Sequence, residues 1–474
     1  MELPALFVII TASLFYRVLF AKRYIDWFIL GGSIICLFYF QPISSIRALD
    51  FWLPMLSLSI GILAWEIVVN PEIKKEKSTR ITFFIFFGLM MIFGLIRFIP
   101  QINISSLISI PGPIAIVSFA ISYFLTILAL RRIRKSPNFA ILLVMVIIAI
   151  FLIIKNEFLS LQLSVLLRQW NDQSIALAQG NEIIWVGYSY FAFRLIHVLA
   201  DARKHGFVEV ELPRFLGYLF FFPALLAGPI MRIADYSKAI LEERNELRTD
   251  VYSAFERIAT GLFQKFILAD LLAIISINQQ LAADVDTTGW MWFFVLMFTF
   301  RIYFDFSGYS HIAIGTAYLL GIRLPENFDH PLRSPTVTIF WNKWHVTLTQ
   351  WFRTYYFNPF TRFLKKNFSA INQNLIMGFM QISTMVLIGL WHGISWNFVL
   401  WGLWIGLGLF VQNTVTNRYM KNNSDGKPFW QVSRFAKAVS TVATFLYISV
   451  GWVWFAMPDV SSSIHIFRTM MGMQ

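Results

Sequence analysis

Cysteine is all but missing from this chain. Cys36 stands alone among 474 residues, which excludes an intrachain disulfide and any zinc site built on several thiolates. It lies in an apolar run and is expected to pack as a small hydrophobe. Charge is scarce too: Asp, Glu, Lys and Arg make up 14% of the residues, against about 25% in soluble domains. That shortage argues against a sizeable soluble domain. No Ser/Gly-rich linker divides the chain, no repeat of fixed period is visible, and no glycine-rich phosphate loop is apparent. The N-terminus has no basic n-region and no clear small-residue cleavage site. The apolar stretch from Leu3 therefore reads as a first membrane helix and not as a removed signal peptide.

Long apolar runs are what the chain has in quantity. It is 57% hydrophobic and 17% aromatic, with a mean hydropathy of +0.63. Runs are drawn at 4–20, 25–41, 51–69, 81–99, 113–130, 138–155, 183–200, 212–231, 252–276, 290–305, 308–322, 375–391, 394–413 and 435–456. A full span needs roughly 20 residues, so the shorter runs are expected to be re-entrant or packed inside, and about 11–12 to be true spans. The predicted fold is an all-α, polytopic membrane helical bundle with additional re-entrant and interfacial helices. The polar stretches Asp235 to Asp250 and Asn417 to Lys427 read as surface loops. Net charge is +13, but the cations cluster between apolar runs, at Lys74-Lys75-Glu76-Lys77, Arg131 to Lys135 and Lys365-Lys366. The positive-inside rule accounts for such clusters, with acidic lipid or substrate as a second use. Nucleic acid is not an expected partner; membrane lipids are.

Two histidines stand out against this background, because each directly follows a tryptophan in apolar, aromatic surroundings. One closes Phe340-Trp341-Asn342-Lys343-Trp344-His345, and the other lies in Gly389-Leu390-Trp391-His392-Gly393. An ionisable group at membrane depth is costly and is normally buried in protein or lines a watery cavity. Histidine is also the side chain best suited to moving a proton near neutral pH. Pro335 predicts a helix over 336–357, on which Trp341, Trp344, His345, Leu348, Trp351 and Phe352 share a broad face. Such a helix is either an interfacial anchor or part of a site. Gly393 and Ser395 are expected to break the run 375–413 into two helices, which is tolerated where the break lines a cavity. His392 is then either a functional group or a core histidine bonded to a carbonyl. Arg301 lies one turn before Asp305, so the expectation is an ion pair, the alternative being that Asp305 orients a histidine. Gly308 and Gly315 are expected to permit close helix packing.

Five ordered blocks within about residues 180–456 resemble the membrane-bound O-acyltransferases, in the bacterial branch of alginate O-acetylation and of D-alanyl transfer to teichoic acids. They are Ala227-Gly228-Pro229-Ile230, Tyr303 to Ser310 with Ala313-Ile314-Gly315, Leu324-Pro325-Glu326-Asn327-Phe328, Phe340 to His345 with Trp351-Phe352-Arg353, and Gly389 to Gly393. The resemblance implies a helical bundle enclosing a tunnel, with His392 and His345 as the catalytic pair. Trp391, Trp344, Asp305, Arg353 and Asn342 are supporting candidates. Three departures leave the acceptor open: Arg301 stands where the family often has glutamine, His311 where it often has aspartate, and Asn358-Pro359-Phe360-Thr361 where alginate-type members carry Gly-Gly-Asn.

The implied division is 1–180 as N-terminal transmembrane helices, 181–456 as the catalytic core and 457–474 as a short C-terminal segment, naturally brief or truncated. The implied activity is acyl transfer, acetyl first, to a hydroxyl of an extracellular or cell-wall polysaccharide. The donor is acetyl-CoA or a carrier-protein thioester; no tightly bound cofactor and no metal is expected. An extracytoplasmic esterase-like protein is the implied partner, and the bacterial cytoplasmic membrane the implied location. A transporter or flippase for a lipid-linked glycan is the alternative.

Overall fold

The computed structural model describes residues 3–19, 24–96, 109–133, 138–242, 249–423 and 426–473. Among them the regular structure is helical apart from one isolated bridge between Val69 and Val208. Seven helices are long and apolar enough to cross a membrane, and two shorter apolar helices precede them. This is a multi-pass membrane protein. The chain forms two compact units, one of residues 1–252 with 316–323, the other of 253–315 with 324–474.

The first unit is organised around α1 (Leu49–Val68), most of which is buried. Its end is tied down by polar contacts. Trp65 donates its indole N–H to the Val210 carbonyl at 2.8 Å, and the buried Glu66 carboxylate pairs with Lys74 and Arg131. Farther along come α2 (Asn138–Lys155), α3 (Glu157–Trp170) and α4 (Tyr188–His205). Arg168 on α3 forms a two-pronged, nearly buried pair with Glu182, and the same carboxylate accepts from Ser45 and Ser164. Cys36 is buried and unpaired in a disulfide.

Three expectations change here. The apolar run 212–231 is not a continuous helix: it folds as the short helix Leu212–Leu219 followed by a 3-10 turn at Phe222–Ala224. Pro223 and Pro229 cannot supply interior helix donors. The carbonyls freed at Leu219 and Ala224 accept from buried Arg194, at 3.0 and 2.8 Å. Asp235 to Asp250 is not all loop, since Ile233–Glu242 is helical, with Asp235 favourably placed in its first turn and Tyr236 buried; residues 243–248 lie outside the described residues. Asn417 to Lys427 is likewise helical as far as Asn422, the end of a long span with Lys421 in its last turn; residues 424–425 lie outside the described residues.

In the second unit the runs 290–305 and 308–322 merge into one helix, α5 (Thr288–Leu319), whose last residues belong to the first unit. Gly308 does not interrupt it. A Cβ there would lie 2.8 Å from the Lys265 backbone nitrogen, and one at Gly315 would lie 2.7 Å from the Ala254 carbonyl. Both glycines permit close backbone approach, as expected. After α5 come α6 (Val337–Lys343), α7 (Val346–Phe352), α8 (Gln373–His392), α9 (Trp396–Asn422), α10 (Arg434–Ala456) and α11 (Val460–Met470). Helices α8 and α9 form an antiparallel hairpin broken at Gly393-Ile394-Ser395, as the glycine and serine predict. Met291, Val295, Val453 and Ile466 make an apolar core for α5, α10 and α11.

Candidate active site

The continuous helix expected over 336–357 does not form. Thr336 caps α6, its hydroxyl accepting from the Ile339 N–H at 3.1 Å. The helix then stops, because His345 adopts a left-handed backbone with φ 43° and ψ 53°. For a residue with a side chain that conformation costs on the order of 1 kcal/mol or more and survives only where surroundings hold it. The holding contacts come from the segment just before. The Asn327 carbonyl accepts from the Val346 N–H at 2.9 Å, and the Asp329 N–H donates to the Lys343 carbonyl at 3.0 Å. Beyond α7 the chain continues as a π-helical turn, Arg353–Phe357.

The Asn327 side chain fills the bend and is fully buried. Its Oδ1 lies 3.0 Å from His345 Nδ1 and accepts from Thr347 Oγ1 at 2.9 Å and from the Thr347 backbone N–H at 3.4 Å. Its Nδ2 donates to Ser310 Oγ at 3.2 Å. His345 is 3% exposed, and its Nε2 is buried with no hydrogen-bond partner among the described residues. The edge of Phe306 meets the imidazole at 4.7 Å between centroids, and the Trp391 ring lies 6.1 Å away. Burial first, and the neighbouring His392 second, push the His345 imidazole well below its ordinary value.

His392 is the last residue of α8, beside Trp391 at 4.6 Å, Phe455 at 4.8 Å and Trp401 at 5.9 Å between ring centroids. Trp391 thus packs against both imidazoles. Around them Trp341, Trp344, Trp401 and Trp452 form a continuous aromatic cluster, Trp344 stacking on Phe340 at 5.4 Å. His345 is sealed from water by these surroundings, which strengthens any charge interaction at its ring, whereas His392 is half-buried. Chemically, the pair can accept, hold or pass a proton next to a group that develops charge.

The remaining candidates lie elsewhere in the unit. Asp305 is ion-paired with Lys265 and not with Arg301; Arg301 instead donates to Ser276 Oγ at 3.2 Å. The i,i+4 spacing permitted the expected pair, but the tight helix contact at Gly308 brings the Lys265 backbone against α5. Arg353 donates to Asn342 Oδ1 at 2.6 Å, and both side chains are exposed. Asn327 is the polar group that reading the sequence left without a role. Its signal was an amide between Pro325 and Phe328, in a stretch otherwise rich in aromatics. Among the described residues no cluster of three or more His, Cys, Asp or Glu side chains is placed to hold a metal ion.

The model of the membrane-bound O-acyltransferase family matches residues 38–451. The chain is similar to the probable alginate O-acetylase AlgI of Pseudomonas putida, 32% identical over 292 residues, which are 60% of this chain and 54% of that protein. It is similar to the teichoic acid D-alanyltransferase of Streptococcus thermophilus, 29% identical over 287 residues, 57% of this chain and 68% of the relative. It is similar also to the peptidoglycan O-acetyltransferase of Helicobacter pylori, 29% identical over 273 residues, 56% and 48% of the two chains. The matched part spans about half the length of the alginate relatives.

Proposed function

Since the chain belongs to the membrane-bound O-acyltransferase family, we propose that it is an acyltransferase of a bacterial cytoplasmic membrane, carrying an acyl group from a cytoplasmic thioester to a hydroxyl of an extracellular or cell-wall polysaccharide. Acetyl is the preferred group, and acetyl-CoA or a carrier-protein thioester the donor. The observation that carries this reading is the approach of two histidines, distant in sequence, to one tryptophan ring among aromatic side chains, His345 buried and His392 half-buried. The relatives' names support the acceptor class, since alginate, teichoic acid and peptidoglycan are all surface polymers. An extracytoplasmic esterase-like protein is the proposed partner.

The residues suit the chemistry. A hydroxyl is a weak nucleophile at neutral pH and gains from a positioned base. His392 takes the hydroxyl proton as the oxygen bonds to the thioester carbonyl carbon. The carbonyl oxygen becomes an oxyanion, then the C–S bond breaks. The thiolate leaves and takes up the proton, which restores neutral His392. His345, which also packs against Trp391, acts on the acceptor.

The test is the ester content of surface polysaccharide, by NMR, in a deletion strain complemented with wild type or with His392→Ala at equal membrane levels. Wild type should restore the ester signal and His392→Ala should not. Equal restoration refutes the role of His392. A change in polymer export with no change in esters favours the glycan transporter instead.

A further inference from the structure

The hydrogen bonds around Asn327 decide which nitrogen of His345 carries the proton. A backbone N–H can only donate, so the atom of Asn327 facing the Thr347 N–H is the oxygen. The same oxygen faces His345 Nδ1, so Nδ1 must be the protonated nitrogen. The other end of the amide is committed as well, since Nδ2 donates to Ser310 Oγ. No flipped arrangement satisfies all four contacts. A neutral imidazole has one N–H, and here it is used up. Nε2 is then a lone pair with no partner among the described residues, in a desolvated position, where an unmet polar atom costs free energy until something donates to it.

Resting on the acyl-transfer reading above, we propose that Asn327 is a positioning residue that locks His345 in the Nδ1–H tautomer, so that Nε2 receives a hydrogen bond from a hydroxyl of the acyl acceptor. His345 is thereby the group that orients the acceptor, and it is not the donor that stabilises the oxyanion: it has no N–H to spare for one. A sugar carries neighbouring hydroxyls, so one donates to His345 Nε2 while the attacking one donates to His392. The left-handed backbone at His345 has a use in this arrangement. It turns the ring out of the helical path and onto Asn327, which a continuous helix over 336–357 would not do.

The test is 15N NMR of histidine-labelled full-length protein in lipid nanodiscs, with His345→Gln identifying the signal. Pyrrole-type and pyridine-type ring nitrogens are distinguishable, so the tautomer is read without any activity. The expected result is a protonated Nδ1 and a bare Nε2. Asn327→Leu should let the proton exchange between the two nitrogens and lower polysaccharide ester content in complemented cells on the order of 100-fold. Asn327→Asp keeps an acceptor for His345 and Thr347 but adds a negative charge. It should keep the tautomer, move the His345 titration to higher pH and restore more ester than the leucine variant. The titratable group beside the ring is His392, and the other neighbours, Phe306, Trp391, Asn327 and Thr347, are uncharged. A proton found on Nε2 in the wild type overturns the proposal. So does an unchanged tautomer in Asn327→Leu, or an aspartate variant with less ester than leucine and an unmoved titration, as a purely structural amide would give. If the tautomer behaves as described but no variant, wild type included, forms ester, the acyl-transfer reading fails while the orientation of His345 stands.

Discussion

Replacing Gly402 by alanine should pull His392 out of position without touching it. Gly402 lies tight against the α8 backbone. An added Cβ would sit 2.5 Å from the Val386 Cα and 2.6 Å from the Met385 carbonyl oxygen, both backbone atoms. Ordinary carbon contacts need about 3.5–4.0 Å, so α8 and α9 must part by about 1 Å at this point. Overpacking of this kind costs about 1–3 kcal/mol. His392 ends α8 less than two turns beyond Val386, so the displacement reaches the imidazole, and a misplacement of about 1 Å costs on the order of 100-fold in rate. Gly378→Ala supplies the control on the same hairpin. Its Cβ would meet ring atoms of Phe410 at 2.7 Å, and no backbone atom is among the near contacts. A ring can turn aside, so this variant should lose little activity. Polysaccharide ester content gives the functional reading, and thermal unfolding followed by tryptophan fluorescence gives the structural one. Equal effects from the two variants, or a Gly402→Ala protein that is destabilised yet fully active, would refute the argument that the hairpin contact positions His392.

Three further outcomes follow from charged groups. Arg168→Met leaves the nearly buried Glu182 carboxylate without its counter-ion, so a loss of about 3–5 kcal/mol is expected. Pairing Arg168→Met with Glu182→Leu should recover part of that, read as the midpoint of thermal unfolding in nanodiscs. The same pair carries a pH dependence. The Arg168 guanidinium, ahead of the serine hydroxyls, holds the Glu182 carboxyl at about 2 against an ordinary 4.5. The folded state therefore takes up this proton less readily than the unfolded state. The stability Glu182 contributes is whole above about pH 4.5 and lost as pH falls toward 2, and Glu182→Gln should flatten that limb of the unfolding-versus-pH curve. Lys265→Met leaves Asp305 without its partner, and because that carboxylate is 54% exposed the loss should be no more than about 1 kcal/mol, recovered in the Lys265→Met/Asp305→Met double variant and read as the unfolding temperature. A double variant no better than the single one would mean that the pair contributes nothing by its charge.

Much of the architecture was legible because it rests on local chemistry. Apolar runs near the length of a bilayer predicted helices, and the glycine and serine after His392 predicted the break between α8 and α9. Local chemistry failed where contacts from afar overrode it. The spacing after Pro335 favours one helix, yet the Asn327 carbonyl and amide, from 18–20 residues earlier, take the donors around His345 and hold it at φ 43°. Arg301 and Asp305 have the spacing of a pair, yet Lys265, 40 residues away, claims the carboxylate.

The amino-acid sequence by itself determined that this is an all-helical membrane protein with two histidines in costly surroundings, because hydropathy and desolvation act on residue type alone. It also carried the family, through five ordered blocks. Tertiary structure alone decided that the two histidines share a tryptophan ring, that Asp305 answers to Lys265, and that the Asn327 amide meets both His345 Nδ1 and Thr347. Those are properties of distance and direction between groups far apart in the chain, and a hydrogen bond exists only when donor and acceptor meet at about 3 Å in the right orientation.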